Sequence, residues 1–343
     1  MTELRWPDVL GRLTRSEDLP DDLSSAAMRA IMQGEASPAQ VAGFVIGLRT
    51  KGETDAEIAS LVQTMRSFAT PVHVDEPVVD TCGTGGDGAG TFNISTLAAL
   101  VAAGAGAKVA KHGNRAASGR CGTADLLEHW GVAIDLDADG VAACIEQVGI
   151  GFCFAPSFHP SMRHAMPARR ELGVPTVFNF LGPLTNPAGA AHQTVGVSDP
   201  VMAPKVAGVL ARLGTAHALV FHGDQGLDEL STTGPSQVWE VTDGTVRQWT
   251  LDPAELGFAP ATLGDLAGGD LDRNRAIADE VLDGRPGAKR DIVVLGAAAA
   301  LVAADLEFAW PDAVERASAA IEDGSAAQVL QRWVATSKKL AAT

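Results

Sequence analysis

Apolar positions change their spacing once along this chain, near Pro71. Before it, Val41, Phe44, Val45 and Leu48 recur at intervals of three and four, the period of one helix face. Ser37-Pro38-Ala39-Gln40 supplies an N-cap, a first-turn proline and a capping-box glutamine, which predicts a helix running to Lys51 and stopped by Gly52. Thr54-Asp55-Ala56-Glu57 repeats the capping box and predicts a second helix ending near Phe68. Residues 1–70 therefore read as a domain of helices alone. Its apolar stripe has to be covered, either by the main domain or by a second copy.

After Pro71 short β-type runs alternate with helical stretches. Strands are expected at 78–81, 108–111, 150–154, 194–197 and 218–222, with 238–241 and 246–251 as a later pair. That alternation is the pattern of an α/β domain with a mostly parallel central sheet, here spanning 74–343. The most apolar run, 292–304, reads as a buried strand or helix segment, and the Ala- and Gly-rich 263–270 reads as a surface connection. Residues 154–187 carry six prolines, so any helix over 162–172 should kink or restart at Pro167. This tract is expected to cross between the domains.

Chemistry concentrates in 78–130. The run 78–81 passes into five glycines from Gly83 to Gly90, and an apolar helix then opens at Asn93-Ile94-Ser95-Thr96. Glycines let the backbone turn tightly and approach a ligand, and amides at a helix start suit an anion, most often phosphate. A second cluster follows 108–111, with His112-Gly113-Asn114-Arg115, Ser118-Gly119-Arg120 and a helix capped near Thr123. Two loops at consecutive strand ends are placed to grip one ligand from two sides. The glycines match neither the dinucleotide fingerprint nor a P-loop, so neither NAD nor ATP is indicated. The bland reading, of turns beside a solvated basic face, has about even odds for a lone motif of this kind.

Charge changes that balance. The 343 residues hold 42 acidic and 26 basic side chains, yet no Asp or Glu lies between Gly88 and Ala124, where Lys108, Lys111, Arg115 and Arg120 sit. A second tract, 147–198, is interrupted only by Glu171 and carries Arg163, Arg169 and Arg170. An acidic chain with two locally positive windows suits an anionic substrate. A net charge of −16 argues against nucleic acid, and aromatics at 5% leave few stacking platforms. No apolar run reaches the roughly 18 residues of a membrane span. The N-terminus shows no export signal, and four scattered cysteines form no disulfide framework, which fits the cytoplasm. Asp228-Glu229 follows the strand 218–222. Alone, such a pair is more often a solvated acidic turn, but beside phosphate its hard oxygens point to Mg²⁺.

Gly83-Thr84-Gly85-Gly86-Asp87, Asn93-Ile94-Ser95-Thr96 and Lys111-His112-Gly113-Asn114-Arg115 resemble the signature of the anthranilate phosphoribosyltransferase family, over residues from about 10 to about 335. The resemblance implies a nucleoside phosphorylase/phosphoribosyltransferase-like fold, with part of 160–190 packing on the helical domain. It implies transfer of phosphoribose from 5-phosphoribosyl 1-pyrophosphate (PRPP) to the amino nitrogen of anthranilate, with two Mg²⁺ ions per subunit and a homodimer formed through the helical domain. Carried over by position, PRPP would contact Gly83, Gly86, Asp87, Thr91, Asn93, Ile94, Ser95, Thr96, Lys111, His112, Gly113, Asn114, Arg115, Ala116, Ala117, Ser118, Gly119 and Thr123. Anthranilate would contact Gly83, Asn114, His159 and Arg169, whose fork suits a planar carboxylate. The metal would fall to Ser95, Asp228 and Glu229. The resemblance marks no general base. Met162 stands where some family members carry an aromatic residue, which leaves the channel shape open.

Two other readings are possible. A pyrimidine-nucleoside phosphorylase shares the architecture and also cleaves at ribose C1, but its usual glycine motif lacks GTGGD followed by NIST. A non-enzymatic relative that binds nucleic acid is opposed by the acidity and by the intact carboxylate pair.

Overall fold

The computed structural model describes residues 4–116 and 121–342. Four helices come first: α1 (Trp6–Thr14), α2 (Asp21–Gln33), α3 (Pro38–Lys51) and α4 (Asp55–Arg66). Both expected capping boxes form. Ser37 Oγ accepts from Gln40 N while Gln40 accepts from Ser37 N, and Thr54 and Glu57 do the same for α4.

The remaining chain runs β1 (Val79–Gly83), α5 (Ile94–Gly104), β2 (Val109–Gly113), α6 (Thr123–Trp130), α7 (Ala138–Val148), β3 (Ile150–Phe154), α8 (Ala155–Phe158), α9 (Met166–Leu172), α10 (Phe178–Leu181), β4 (His192–Gly196), α11 (Ala203–Arg212), β5 (His217–His222), β6 (Ser236–Thr242), β7 (Thr245–Leu251), α12 (Leu271–Leu282), α13 (Ala288–Ala303), α14 (Trp310–Glu322) and α15 (Ser325–Ala341). The sheet order is β3-β2-β1-β4-β5-β6-β7, parallel through β5 and antiparallel at β6 and β7. All seven expected strands are present. The apolar run within 292–304 resolves as helix α13.

Alternate strand residues face two cores. Leu219 and Phe221 join α5, α7, α13 and α15 on one side. Val195, Val197, Ala218, Val220 and Trp239 meet α11, α9 and the four N-terminal helices on the other. The helical domain thus buries part of its stripe on α9, α10 and α11, the layer that covers this face of the sheet. Pro167 restarts the backbone as expected, separating a short 3-10 turn (Pro160–His164) from α9.

One expectation needs correction. Residues 263–270 are not a mere surface connection: Leu266 is fully buried, Ala267 bridges Thr91, and Gly268 N donates to Gly90 O. Helix α6 is capped near Thr123 as expected, at Gly122, whose amide donates to Asp125 Oδ2 at 2.8 Å.

Candidate active site

The strand order reverses between β1 and β4, and a cleft opens where such reversals place ligands, beyond the carboxyl ends of the strands. Gly83 and Gly196 are register partners there. A Cβ on Gly83 would run into the Asp228 carboxylate, and one on Gly196 would run into the Asp228 carbonyl. Only bare backbone lets Asp228 lie across both strands. Beyond Gly83, glycines 85, 86, 88 and 90 all take positive φ between 64° and 82°, a region closed to most side chains. The loop is braced at both ends, since Gly85 N donates to Asp228 Oδ2 at 2.7 Å and Thr91 pairs with Ala267.

Three carboxylates meet at this loop. Burial and the neighbouring Asp87 push Asp228 up to about 7. Burial and Asp228 push Glu229 well above the ordinary glutamate range. Asp87 Oδ2 is buried with no hydrogen-bond partner. Negative groups this crowded favour a bound cation, and an all-oxygen donor set favours a hard one. No closed cage of three or more His, Cys, Asp or Glu side chains exists among the described residues. The residues fit Mg²⁺ in its usual phosphate-site form, in which one or two carboxylates share the ion with substrate oxygens.

The helix start is more occupied than the sequence suggested. Ser95 N donates to Glu229 Oε1 at 3.1 Å, so the chain's own carboxylate sits at the α5 N-terminus. Lys111 Nζ is buried beneath the loop, donating to Thr81 O at 2.5 Å and lying 3.4 Å from Ser95 Oγ. Burial lowers its pKa, while the charges of Asp80 and Glu229 oppose that shift. Asn93 is equally committed: its Nδ2 donates to Cys121 O at 3.1 Å and its Oδ1 accepts from Asn274 Nδ2 at 3.0 Å. Thr96 and Thr123 share a hydroxyl contact at 3.0 Å that ties the two loops together.

In the second loop, Asn114 Oδ1 accepts from Arg115 N at 2.7 Å. The Arg115 guanidinium turns to Asp125 and Glu128 at 3.0 and 2.8 Å, and it lies over the Phe154 ring. Gly113 lies so close to Phe152 that its Cβ would meet the ring at 2.9 Å. Ala116 N donates to Asp125 Oδ2 at 3.2 Å. Ala117, Ser118 and Gly119 lie outside the described residues.

A second cluster stands beside α10, whose Asn179 and Phe180 line a cavity with the glycine loop. Arg169 is half-buried, its guanidinium lies 5.4 Å over the Phe178 ring, and burial lowers its pKa. It has no ion-pair partner among the described residues. His112 and His159 stand 5.1 Å apart, each with Nε2 buried and unpartnered. Burial holds their values down to about 3 and about 4, so both rings are neutral near pH 7. Sequence reasoning missed Gly196, Asn274 and Ser198. Each acts through contacts distant in sequence, and Asn274 lay just past the stretch taken as a surface connection.

Comparison with known proteins agrees with this architecture. The helical bundle domain of a glycosyl transferase family matches residues 7–69, and its a/b domain matches 75–327. An anthranilate phosphoribosyltransferase of Roseiflexus sp. (strain RS-1) is 54% identical over 333 residues, covering 96% of this chain and 98% of that one. Among solved structures, the anthranilate phosphoribosyltransferase of Thermus thermophilus superposes with a TM-score of 0.91 at 45% identity, covering 96% of this chain and 99% of that one. The Saccharomyces cerevisiae enzyme in complex with PRPP and Mg gives 0.89 at 27% identity, covering 97% and 98%. Identity above one half along almost the entire length, on a shared fold, leaves one conclusion: the chain belongs to the anthranilate phosphoribosyltransferase family.

Proposed function

We infer that this enzyme transfers the phosphoribosyl group of PRPP to the amino nitrogen of anthranilate, yielding N-(5-phosphoribosyl)anthranilate and pyrophosphate. The carrying observation is the polarity of one cleft. A cation-seeking carboxylate cluster stands at a glycine loop, and beside α10, which shares a cavity with that loop, stands a half-buried guanidinium with no ion-pair partner among the described residues. The C1–O bond to pyrophosphate breaks with its electron pair leaving on oxygen, a C1–N bond forms, and the amine releases a proton.

The glycine-loop amides and the 114–116 backbone bind the phosphorylated sugar and fix its orientation. Ser95, Asp228 and Glu229 would hold Mg²⁺, two ions per subunit, which when bound neutralise the charge gathering on departing pyrophosphate. Arg169 receives the anthranilate carboxylate through two parallel hydrogen bonds, with Asn114, Gly83 and His159 lining its seat. The rings of His112 and His159 enclose that seat without adding charge. Lys111 offsets Asp80 and Glu229 from below.

We assign 1–70 to the helical domain and 74–343 to the phosphoribosyl-binding domain. Half-buried Trp6, Leu10, Leu23 and Ile46 leave apolar surface on the helices, which supports a homodimer formed there. Four free thiols suit the reducing cytoplasm. The phosphorylase alternative is not favoured, since the near full-length relatives carry the transferase name.

Anthranilate fluorescence tests the assignment. It should fall only when protein, PRPP and Mg²⁺ are all present. Persistence of the signal with all three, or its loss without PRPP, would overturn the reading.

A further inference from the structure

One contact joins the helical domain to the rim of the cleft. Arg49, near the end of α3, reaches across to the turn after β4, where its Nη2 meets Asp199 Oδ2 at 2.7 Å. Its other edge faces Glu53, with Nη1 3.6 Å from Oε2. Glu53 is 1% exposed, and neither carboxylate oxygen has a hydrogen-bond partner. The guanidinium also lies 5.6 Å over the Phe180 ring. Arg49 is therefore held on three sides, and it borders a cavity of about 320 Å³ shared with the glycine loop.

The contacts continue inward from Asp199. Its Oδ1 accepts from Val201 N at 3.0 Å and its carbonyl accepts from Met202 N at 3.0 Å, so the turn is fixed where α11 begins. The preceding residue, Ser198, donates from Oγ to Gly85 O at 2.8 Å, and its amide donates to Thr84 Oγ1 at 3.2 Å. Gly85 N in turn donates to Asp228 Oδ2. Two sets of polar contacts, joined by the Ser198–Asp199 peptide bond, thus connect α3 to the residue proposed to hold metal.

We propose that Arg49 is a positioning residue for the phosphoribosyl substrate, acting through Asp199 and Ser198 so that the seating of α3 sets the glycine loop. This rests on the function proposed above. Left-handed glycines give the loop little internal preference for one shape, so its conformation has to be imposed by neighbours. Ser198 imposes it from the sheet side, and Arg49 fixes Ser198. Glu53 keeps the guanidinium directed at Asp199: turning it into the cleft would strand a buried carboxylate.

The test is steady-state kinetics on the full chain with PRPP, anthranilate and Mg²⁺. Arg49→Gln and Asp199→Asn should each raise KM for PRPP about fivefold while KM for anthranilate stays within about twofold. The double variant should be no worse than the poorer single one, because both changes cut the same link. Ser198→Ala should move KM for PRPP in the same direction, and Arg49→Lys should recover part of the loss. Tm should shift by no more than about 3 °C in Asp199→Asn and Ser198→Ala, and should fall further in Arg49→Gln, which leaves buried Glu53 unpaired. Additive losses in the double variant would mean that Arg49 touches substrate itself, and equal rises in both KM values would mean a general structural role. Either result overturns the proposal. An inactive wild type would instead sink the function on which it rests.

Discussion

The glycine loop and the α9–α10 region are built on opposite electrostatic principles. At the glycine loop, Asp87, Asp228 and Glu229 crowd together, and burial raises the last two toward the protonated state. On α9, half-buried Arg169 lies over Phe178 with no ion-pair partner among the described residues. Other half-buried cations of the described residues are met by a carboxylate or a carbonyl, as in Lys51 with Asp18 and Glu57, Arg49 with Asp199, or Arg66 with Leu184 O. The difference is what the proposed function requires, with cations carrying phosphate completing one place and an organic anion the other.

The sharpest way to break this contrast is at its negative end. Asp228→Ala combined with Glu229→Ala should cut kcat/KM by about 10³-fold at fixed Mg²⁺, measured by anthranilate fluorescence. Consumption at the wild-type rate would remove the metal assignment. At the positive end, Arg169→Ala should raise KM for anthranilate roughly 10- to 100-fold and leave PRPP affinity nearly intact. The reverse pattern would show that the two pockets have been exchanged.

A smaller effect concerns the neutral wall between the ends. His112 and His159 sit near 3 and 4 in the fold against an ordinary 6.5, so below pH 6.5 the unfolded chain takes up protons that the folded chain refuses. Their contribution to stability is complete above that value and erodes as pH falls toward 4. Asp80, raised by burial from 3.8 to about 6, and the raised Asp228 and Glu229 work in the opposite direction, so the histidine contribution is read as a difference between variants. Between about pH 7.5 and about pH 4.5 the denaturant midpoint of His159→Gln should gain on that of the wild type as pH falls. Parallel profiles for the two proteins would refute the buried neutral pair.

Much of the scaffold was legible because its signals are local. Capping boxes at Ser37 and Thr54, alternation in the strands and the restart at Pro167 each depend on neighbours within four residues. The positive φ of the glycine loop was legible for the same reason. What the loop rests on was not: Ser198 is 113 positions from Gly85, and Asn274 is 181 from Asn93. No periodicity announces such pairs. Lys111 and Glu229 illustrate a subtler limit, since residue type alone suggested an ammonium facing phosphate and an open helix start. In the fold the ammonium lies beneath the loop, and the carboxylate occupies the helix start. Residue type tells what a group can bind, but only packing tells which partner has already reached it.

The paired glycines at 83 and 196 carry a last consequence. Because Asp228 is seated on them by its main chain as much as by its side chain, its placement and its reactivity are separable properties. Exchanging its carboxylate for an amide should silence the chemistry yet leave the segment docked. Adding a single methyl group at residue 196, on a strand that performs no chemistry, should unseat an intact acid.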